Sequence, residues 1–326
     1  MIMTSITKTN NIQTIVGSIP CSQFGFCHSH EHLFLADGQS AKVNAALRAD
    51  DFDLSLSEAR LYKAAGGNSI VDAQPLGCGR MSEYLVETSK QAGINIVAST
   101  GFHKLIFYPE DHWIHTINAE ALSTLFINEL TYGMYIDADK QFPSKTIPAL
   151  AGVIKTASDI AGVDATYSRL FNAASFASIS TGTPIMSHTE FGKGALEQIQ
   201  LFMDHGVPAH SIIICHLDRN LDDISYLLEV AKTGVYMEFD TIGRFKYHSD
   251  EAEAELIAEM VARGYEDKIL IGLDSTRERM KSYGGSIGLD YIKVSFIPVL
   301  KKYGLSEKAI NKFTVVNPAR AFSKYK

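Results

Sequence analysis

The stretch GFCHSHEHLF at residues 25–34 sets His28, His30 and His32 at every second position of an otherwise apolar run. Alternate side chains of an extended segment share a face, so His30 and His32 point the same way, at or just beyond the end of a strand. Imidazole nitrogens brought together in this way suit a divalent cation. Further candidate ligands close other apolar runs: Lys155 ends AGVIK, His188 ends PIMSH, His216 ends IIICH and Asp274 ends LIGLD. Four histidines and a carboxylate, all in phase with strand register, read as a metal site. Zinc is the first choice, and manganese, cobalt or iron accept the same donors. Lys155 differs, because an ammonium repels cations. It is either a buried ion-pair partner or an amine whose charge is removed by carbamylation with CO2, giving a carboxylate that can bridge two metals. His28 shares the alternation one step earlier and is expected deeper, as a packing residue. His103, His112 and His115 fall in a loop with surface roles, and His205, His210 and His248 look solvent-facing.

The elements that must position these residues are short apolar runs alternating with amphipathic ones. Eight runs read as buried strands, at 24–28, 68–73, 94–100, 149–155, 183–188, 211–216, 234–239 and 269–274. Most are apolar on both faces, as in a parallel sheet covered by helices. SLSEARLYKAA, with a Ser cap and a glycine stop, SEYLVETSKQAG at 82–93, GALEQIQLFMDHG, LDDISYLLEVAKTG and DEAEAELIAEMVARG have helical spacing. This rhythm predicts an α/β fold of the (β/α)8 TIM-barrel class, in one domain spanning 1–326, with an open doubly wound sheet as the rival. No glycine-rich phosphate loop follows the first strand, which weakens the dinucleotide-binding form of that rival. Segment 1–23 is expected to close the barrel bottom. Segment 103–148 is long for one unit and is expected to be a loop followed by a helix at about 118–133. In a barrel the strand ends carrying the candidate ligands converge on one mouth.

Composition narrows the function. The 326 residues carry a net charge of −7, without the basic footprint of a nucleic-acid binder. No apolar run reaches the length of a membrane helix, and MIMTSITKTN lacks the apolar core of a signal peptide. Cys21, Cys27, Cys78 and Cys215 form no CxxC, so a reducing cytoplasm is expected. GxSxG is absent, against an α/β-hydrolase.

The pieces GFCHSHEHLF, GNSIVDAQPLGCGR, AGVIKTA, PIMSHTEFG, IIICHLDRN and ILIGLDST run in order over nearly the whole chain, to NPARAF at 317–322. Together they resemble the phosphotriesterase family of the amidohydrolase superfamily. The resemblance implies a distorted barrel with a binuclear metal centre. It implies His30, His32 and Asp274 on the more buried metal, His188 and His216 on the more exposed one, and a carbamylated Lys155 bridging them. Two such cations supply hydroxide from a shared water near neutral pH, and Asp274 is placed to carry its proton to the leaving group. Hydrolysis is the expected reaction class.

Two loops suggest the substrate. DTIGRFKYHSD follows the seventh strand and DSTRERMKSYGG follows the eighth. Cations beside a metal centre in an acidic protein suit an anionic tail, and Arg and Lys with a phenol suit phosphate. Alternatively these cations pair with Asp240, Asp250 and Glu278. The loops resemble those of a branch of the family that opens furanose 1,4-lactones carrying a 5-phosphate. That resemblance assigns Lys246 and Arg277 to the phosphate first, then Tyr283 and Arg244, and leaves open which basic residue of RERMK points inward. Organophosphate triesters or acyl-homoserine lactones are rival substrates that call for apolar pockets. A non-catalytic metal-binding protein is the reading of a different class. The resemblance also makes a homodimer an expectation.

Overall fold

The computed structural model describes residues 7–221 and 223–326. An N-terminal hairpin, β1 (Lys8–Thr14) and β2 (Gly17–Pro20), leads into the first barrel strand, β3 (Cys27–Glu31). The chain continues through α1 (Gln39–Val43), α2 (Phe52–Ala64), β4 (Ser69–Asp72), α3 (Ser82–Ala92), β5 (Asn95–Gly101) and α4 (Ala119–Thr131). A two-stranded ribbon, β6 (Met134–Tyr135) and β7 (Thr146–Ile147), precedes β8 (Val153–Ala157) and α5 (Ala165–Thr181). Then come β9 (Ile185–His188), α6 (Ala195–Asp204), β10 (Ile212–Cys215), α7 (Ile224–Lys232), β11 (Tyr236–Phe239), α8 (Asp250–Ala262) and β12 (Ile269–Ile271). A helical run from 291 to 321 ends in β13 (Ser323–Tyr325).

Eight parallel strands form one sheet in the order β3-β4-β5-β8-β9-β10-β11-β12. Its ends meet where the Asp274 backbone N–H donates to the His30 carbonyl at 3.0 Å, so the (β/α)8 barrel is nearly closed. The strand runs read from sequence correspond to these eight strands. The first is displaced, from the expected 24–28 to 27–31, and the fourth from 149–155 to 153–157. The α2 cap is Asp51, which accepts from Leu54 N at 3.0 Å, not a serine within SLSEAR. α5 escaped the sequence reading because its buried face mixes Ser175, Ser178 and alanines with Leu170 and Phe171, while its exposed face carries Phe176 and Ile179, which blurs the 3.6 period.

Two apolar layers result. Inside the barrel lie Cys27, Val71, Val97, Val153, Met186, Ile213 and Leu270, roughly one per strand. Outside, the alternate residues meet the helices, as Ile70, Ile96, Ile154, Ile185, Ile214 and Ile271 do. The N-terminal hairpin closes the bottom as expected: Ile12 is fully buried in the inner layer with Phe24 and Phe322. β1 pairs with both β2 and β13.

One irregularity decides the orientation of the histidines. β3 pairs with β4 through Cys27↔Ser69 and His28↔Ile70, then through Glu31↔Asp72. One extra residue is therefore inserted in β3, a bulge that reverses the alternation. His28 is fully buried, as expected, but it does not share the facing of His30. Its ring packs 4.6 Å from Tyr62 of α2, and its Nδ1 meets Glu31 at 2.9 Å. Gly101 marks another close approach. Its φ is +94°, and a Cβ there would lie 1.9 Å from the Lys155 carbonyl oxygen, so only glycine lets β5 reach β8 at this level.

Ile12→Ala removes the inner-layer plug without touching the mouth. It should lower the unfolding free energy by about 2–5 kcal/mol, read as a shift of the denaturant midpoint with m unchanged.

Candidate active site

All six candidate ligands lie together at the C-terminal ends of the strands, and all but His32 are at least nine-tenths buried. His30 and Lys155 belong to β3 and β8, His188 ends β9, His216 follows β10, and Asp274 lies past β12. Lys155 Nζ is 3.2 Å from His30 Nε2. Asp274 Oδ1 is 3.9 Å from His30 Nε2 and 3.4 Å from His32 Nε2. His216 Nε2 and His188 Nδ1 face each other at 2.7 Å.

The outer nitrogens of these rings are all occupied. His30 Nδ1 meets Glu238 at 3.1 Å and Asp240 at 3.0 Å. His32 Nδ1 donates to Gln74 Oε1 at 2.9 Å, and His216 Nδ1 to Asp240 at 2.6 Å. His188 Nε2 donates to Glu190 at 3.0 Å. With carboxylate and amide oxygens as their partners, the outer nitrogens are held in place and the other nitrogen of each ring is turned inward, the arrangement found around metal-bound imidazoles. Burial holds His188 down at about 3 and His216 well below its ordinary value, so both rings are neutral. Their inward nitrogens, facing at 2.7 Å, need a cation or a proton between them. Lys155 is fully buried, and its other neighbour is Cys215 Sγ at 3.8 Å. Among the described residues no carboxylate is within ion-pair distance of it, so the ion-pair alternative for Lys155 has no partner here. The donor set therefore fits a pair of divalent cations.

His216 and Asp274 also have left-handed backbones, with φ of 64° and 44°. A non-glycine residue held there costs of order 1–3 kcal/mol and depends on its surroundings to keep it. Asp274 is held by Arg219, whose Nη2 donates to Oδ2 at 2.7 Å, and by Arg244, whose Nη1 lies 2.9 Å from the same oxygen. Although burial opposes it, Arg244, His32 and the nearby cations keep the Asp274 carboxyl well below the usual carboxylate range. Its Oδ1 remains turned toward the histidines.

A cavity of about 540 Å3 opens over this group. Arg244 and Lys246 line it, with Lys246 Nζ 4.8 Å from the Tyr247 ring. Arg277 is exposed, between Thr276 and Glu278, which do line the cavity. Tyr283 lies elsewhere: its hydroxyl is 2.8 Å from Ser55 Oγ and donates to the Asp51 carbonyl at 2.9 Å. Arg279 is the basic residue of RERMK on the cavity wall. Its guanidinium donates to the carbonyls of Leu273 and Ile242 and ties the two loops together. Lys281 pairs with Asp290 at 2.7 Å. None of Arg244, Lys246 and Arg277 pairs with Asp240, Asp250 or Glu278, the carboxylates weighed as their partners. Sequence reasoning passed over Arg219, although it stands three residues after His216, and over Glu190, two after His188. It also placed His103 and His112 at the surface. His103 is buried 5.3 Å from the His188 ring, and His112 is buried against the Ala138 carbonyl at 2.9 Å.

The phosphotriesterase family model matches residues 10–322. The chain belongs to the phosphotriesterase family. As a phosphotriesterase-family protein it is an enzyme, a metal-dependent hydrolase acting on a small molecule. It is 30% identical over 321 residues to the phospho-furanose lactonase of Mycoplasmopsis synoviae (strain 53), covering 95% of this chain and 91% of that one. A lactonase from Listeria monocytogenes superposes with a TM-score of 0.89 at 31% identity, covering 97% of this chain and all 100% of its own. The phosphotriesterase homology protein of Escherichia coli, solved with phosphate in its active site, gives a TM-score of 0.82 at 28% identity, over 92% and 99% of the two chains. Among the described residues no helix is long and apolar enough to cross a membrane.

Asp240→Asn keeps the shape but weakens the acceptor shared by His30 and His216. Metal affinity, measured by chelator competition, should fall about 10–100-fold with the circular dichroism spectrum unchanged.

Proposed function

We propose that this chain is a lactonase that opens furanose 1,4-lactones carrying a 5-phosphate. The observation that carries the reading is the wall shared by the ligand cluster and the cations: Arg244 and Lys246 stand over the histidines in one cavity. The name phospho-furanose lactonase, carried by a relative at 30% identity, supports the same substrate class. So does the phosphate held in the active site of the Escherichia coli relative.

His30, His32 and Asp274 would hold one divalent cation, His188 and His216 the other, and a carbamylated Lys155 would bridge them. Zinc is the first choice of metal. When bound, the pair supplies a water of lowered pKa and polarises the lactone carbonyl. Asp274 Oδ1 accepts the proton of the attacking water and passes it to the departing ring oxygen. Arg219 and Arg244 hold Oδ2, so the carboxylate cannot rotate away. Lys246 takes the distal phosphate, and Arg277 reaches it from the rim by a side-chain swing. Tyr283, bonded to Ser55 and Asp51, supports the loop rather than the substrate. Binding energy far from the reacting carbon then fixes its orientation. Four free cysteines agree with a reducing cytoplasm, and a homodimer remains part of the proposal.

Two measurements test this. With Lys246→Ala, kcat/KM for phosphorylated lactones should fall roughly 30–100-fold, the loss of one charge-assisted contact of about 2–3 kcal/mol. Unphosphorylated lactones should change little, and equal losses on both would reject the phosphate site. Lys155→Ala should lose bound metal by elemental analysis and recover part of it when a short carboxylic acid is added. A full metal complement in that variant would exclude the bridging carbamate.

A further inference from the structure

A second set of ligating groups lies away from the barrel axis. Asp218 is in the loop after β10, His248 in the loop before α8, and Glu253 in the first turn of α8. One ligand atom of each lies within 4.8 Å of the others. Asp218 and Glu253 are fully buried. Neither oxygen of Glu253 has a hydrogen-bond partner, and Asp218 Oδ1 has none either. Buried carboxylate oxygens are rarely left so.

The imidazole deepens the mismatch. His248 Nδ1 lies 3.2 Å from the Ser249 carbonyl, which takes its proton. Burial holds the ring below its ordinary value, so Nε2 presents a lone pair. That nitrogen is 3.0 Å from Glu253 Oε2 and 3.0 Å from Thr241 Oγ1. Two acceptors at this separation need a cation or a proton between them. The surroundings add negative charge. Burial, with Asp218, Asp240 and Asp250 nearby, holds the Glu253 carboxyl well above its ordinary value, and Asp250 accepts from neutral donors, Gly243 N at 2.9 Å and Tyr291 Oη at 2.7 Å. The guanidinium of Arg219 also acts on Asp218, but its hydrogen bond goes to Asp274.

We propose that Asp218, His248 and Glu253 hold a further divalent cation of the zinc class, separate from the pair at the mouth. Imidazole nitrogen and carboxylate oxygen are both zinc donors, and metal–ligand distances of about 2.0–2.2 Å set tetrahedral neighbours roughly 3.4 Å apart. The present separations need only small adjustment to reach that. The fourth position falls to water or to the Thr241 hydroxyl. The role is structural. Asp218 Oδ2 already accepts from Thr241 N at 2.6 Å, and a cation joining Asp218 to α8 would clamp both ends of the 240–250 loop. That loop carries Arg244 and Lys246.

The test uses the intact enzyme crystallised with zinc, with anomalous maps recorded at the zinc edge. A peak is expected among Asp218, His248 and Glu253 in addition to density at the mouth. Density at the mouth alone overturns the proposal and assigns the cluster to shared protons. In solution, His248→Gln and Glu253→Gln should each bind one zinc fewer per chain than wild type. An unchanged zinc count in a folded variant also overturns it. If a variant does not fold, the wild-type anomalous map decides.

Discussion

A fully buried lysine, with the ring nitrogen of His30 at 3.2 Å and, among the described residues, no carboxylate at ion-pair distance, is the constraint on which the rest of this molecule turns. An ammonium kept from water without a counter-charge costs several kcal/mol. Around it stand four imidazoles whose outward nitrogens are all bonded, which turns the other nitrogen of each ring toward the lysine and Asp274. A protein interior gathers so much unsatisfied donor capacity only where other charges complete it. On the proposed reading these are two cations and a carbamate. The carboxylates behind the rings, Glu238 and Asp240, then serve to hold proton positions rather than to bind metal themselves.

The barrel separates the cost of this arrangement from the source of its stability. At the bottom, the N-terminal hairpin and β13 seal an apolar layer that includes Ile12, Phe24 and Phe322. At the top, the β3 bulge turns His30 inward, and His216 and Asp274 are held in left-handed backbone. Such local departures persist only where the surrounding structure over-determines them. Here the barrel-closing bond from Asp274 N to the His30 carbonyl and the two guanidinium contacts to Asp274 do so.

The candidate ligands were legible because each closes or follows an apolar run, and strand ends converge in a parallel barrel whatever the loops do. The substrate residues were not equally legible. Arg244, Lys246, Arg277 and Tyr283 were named by composition and resemblance, and only the first two line the cavity. In RERMK the side chains fan out on a short 3-10 turn, so adjacent residues face the rim, the wall and the outside. His103 and His112, correctly read as loop residues, looked like surface ones because polarity along the chain does not report that a long loop folds back over the barrel. α5 was missed because its exposed face carries Phe176 and Ile179 and leaves no polar stripe to count.

The order of the strands, the residue types that end them and the kind of chemistry those residues support were fixed by the chain itself. They depend on local periodicity and on donor identity, both of which can be read without coordinates. Tertiary structure alone decided that His28 faces a helix while His30 faces the axis, because one inserted residue in a strand reverses every later side chain. It also decided that Arg219 grips Asp274 and that Glu253 meets His248 and Asp218. Apart from His248 with Glu253, those contacts join residues distant in sequence, and their direction is set by how the loops pack.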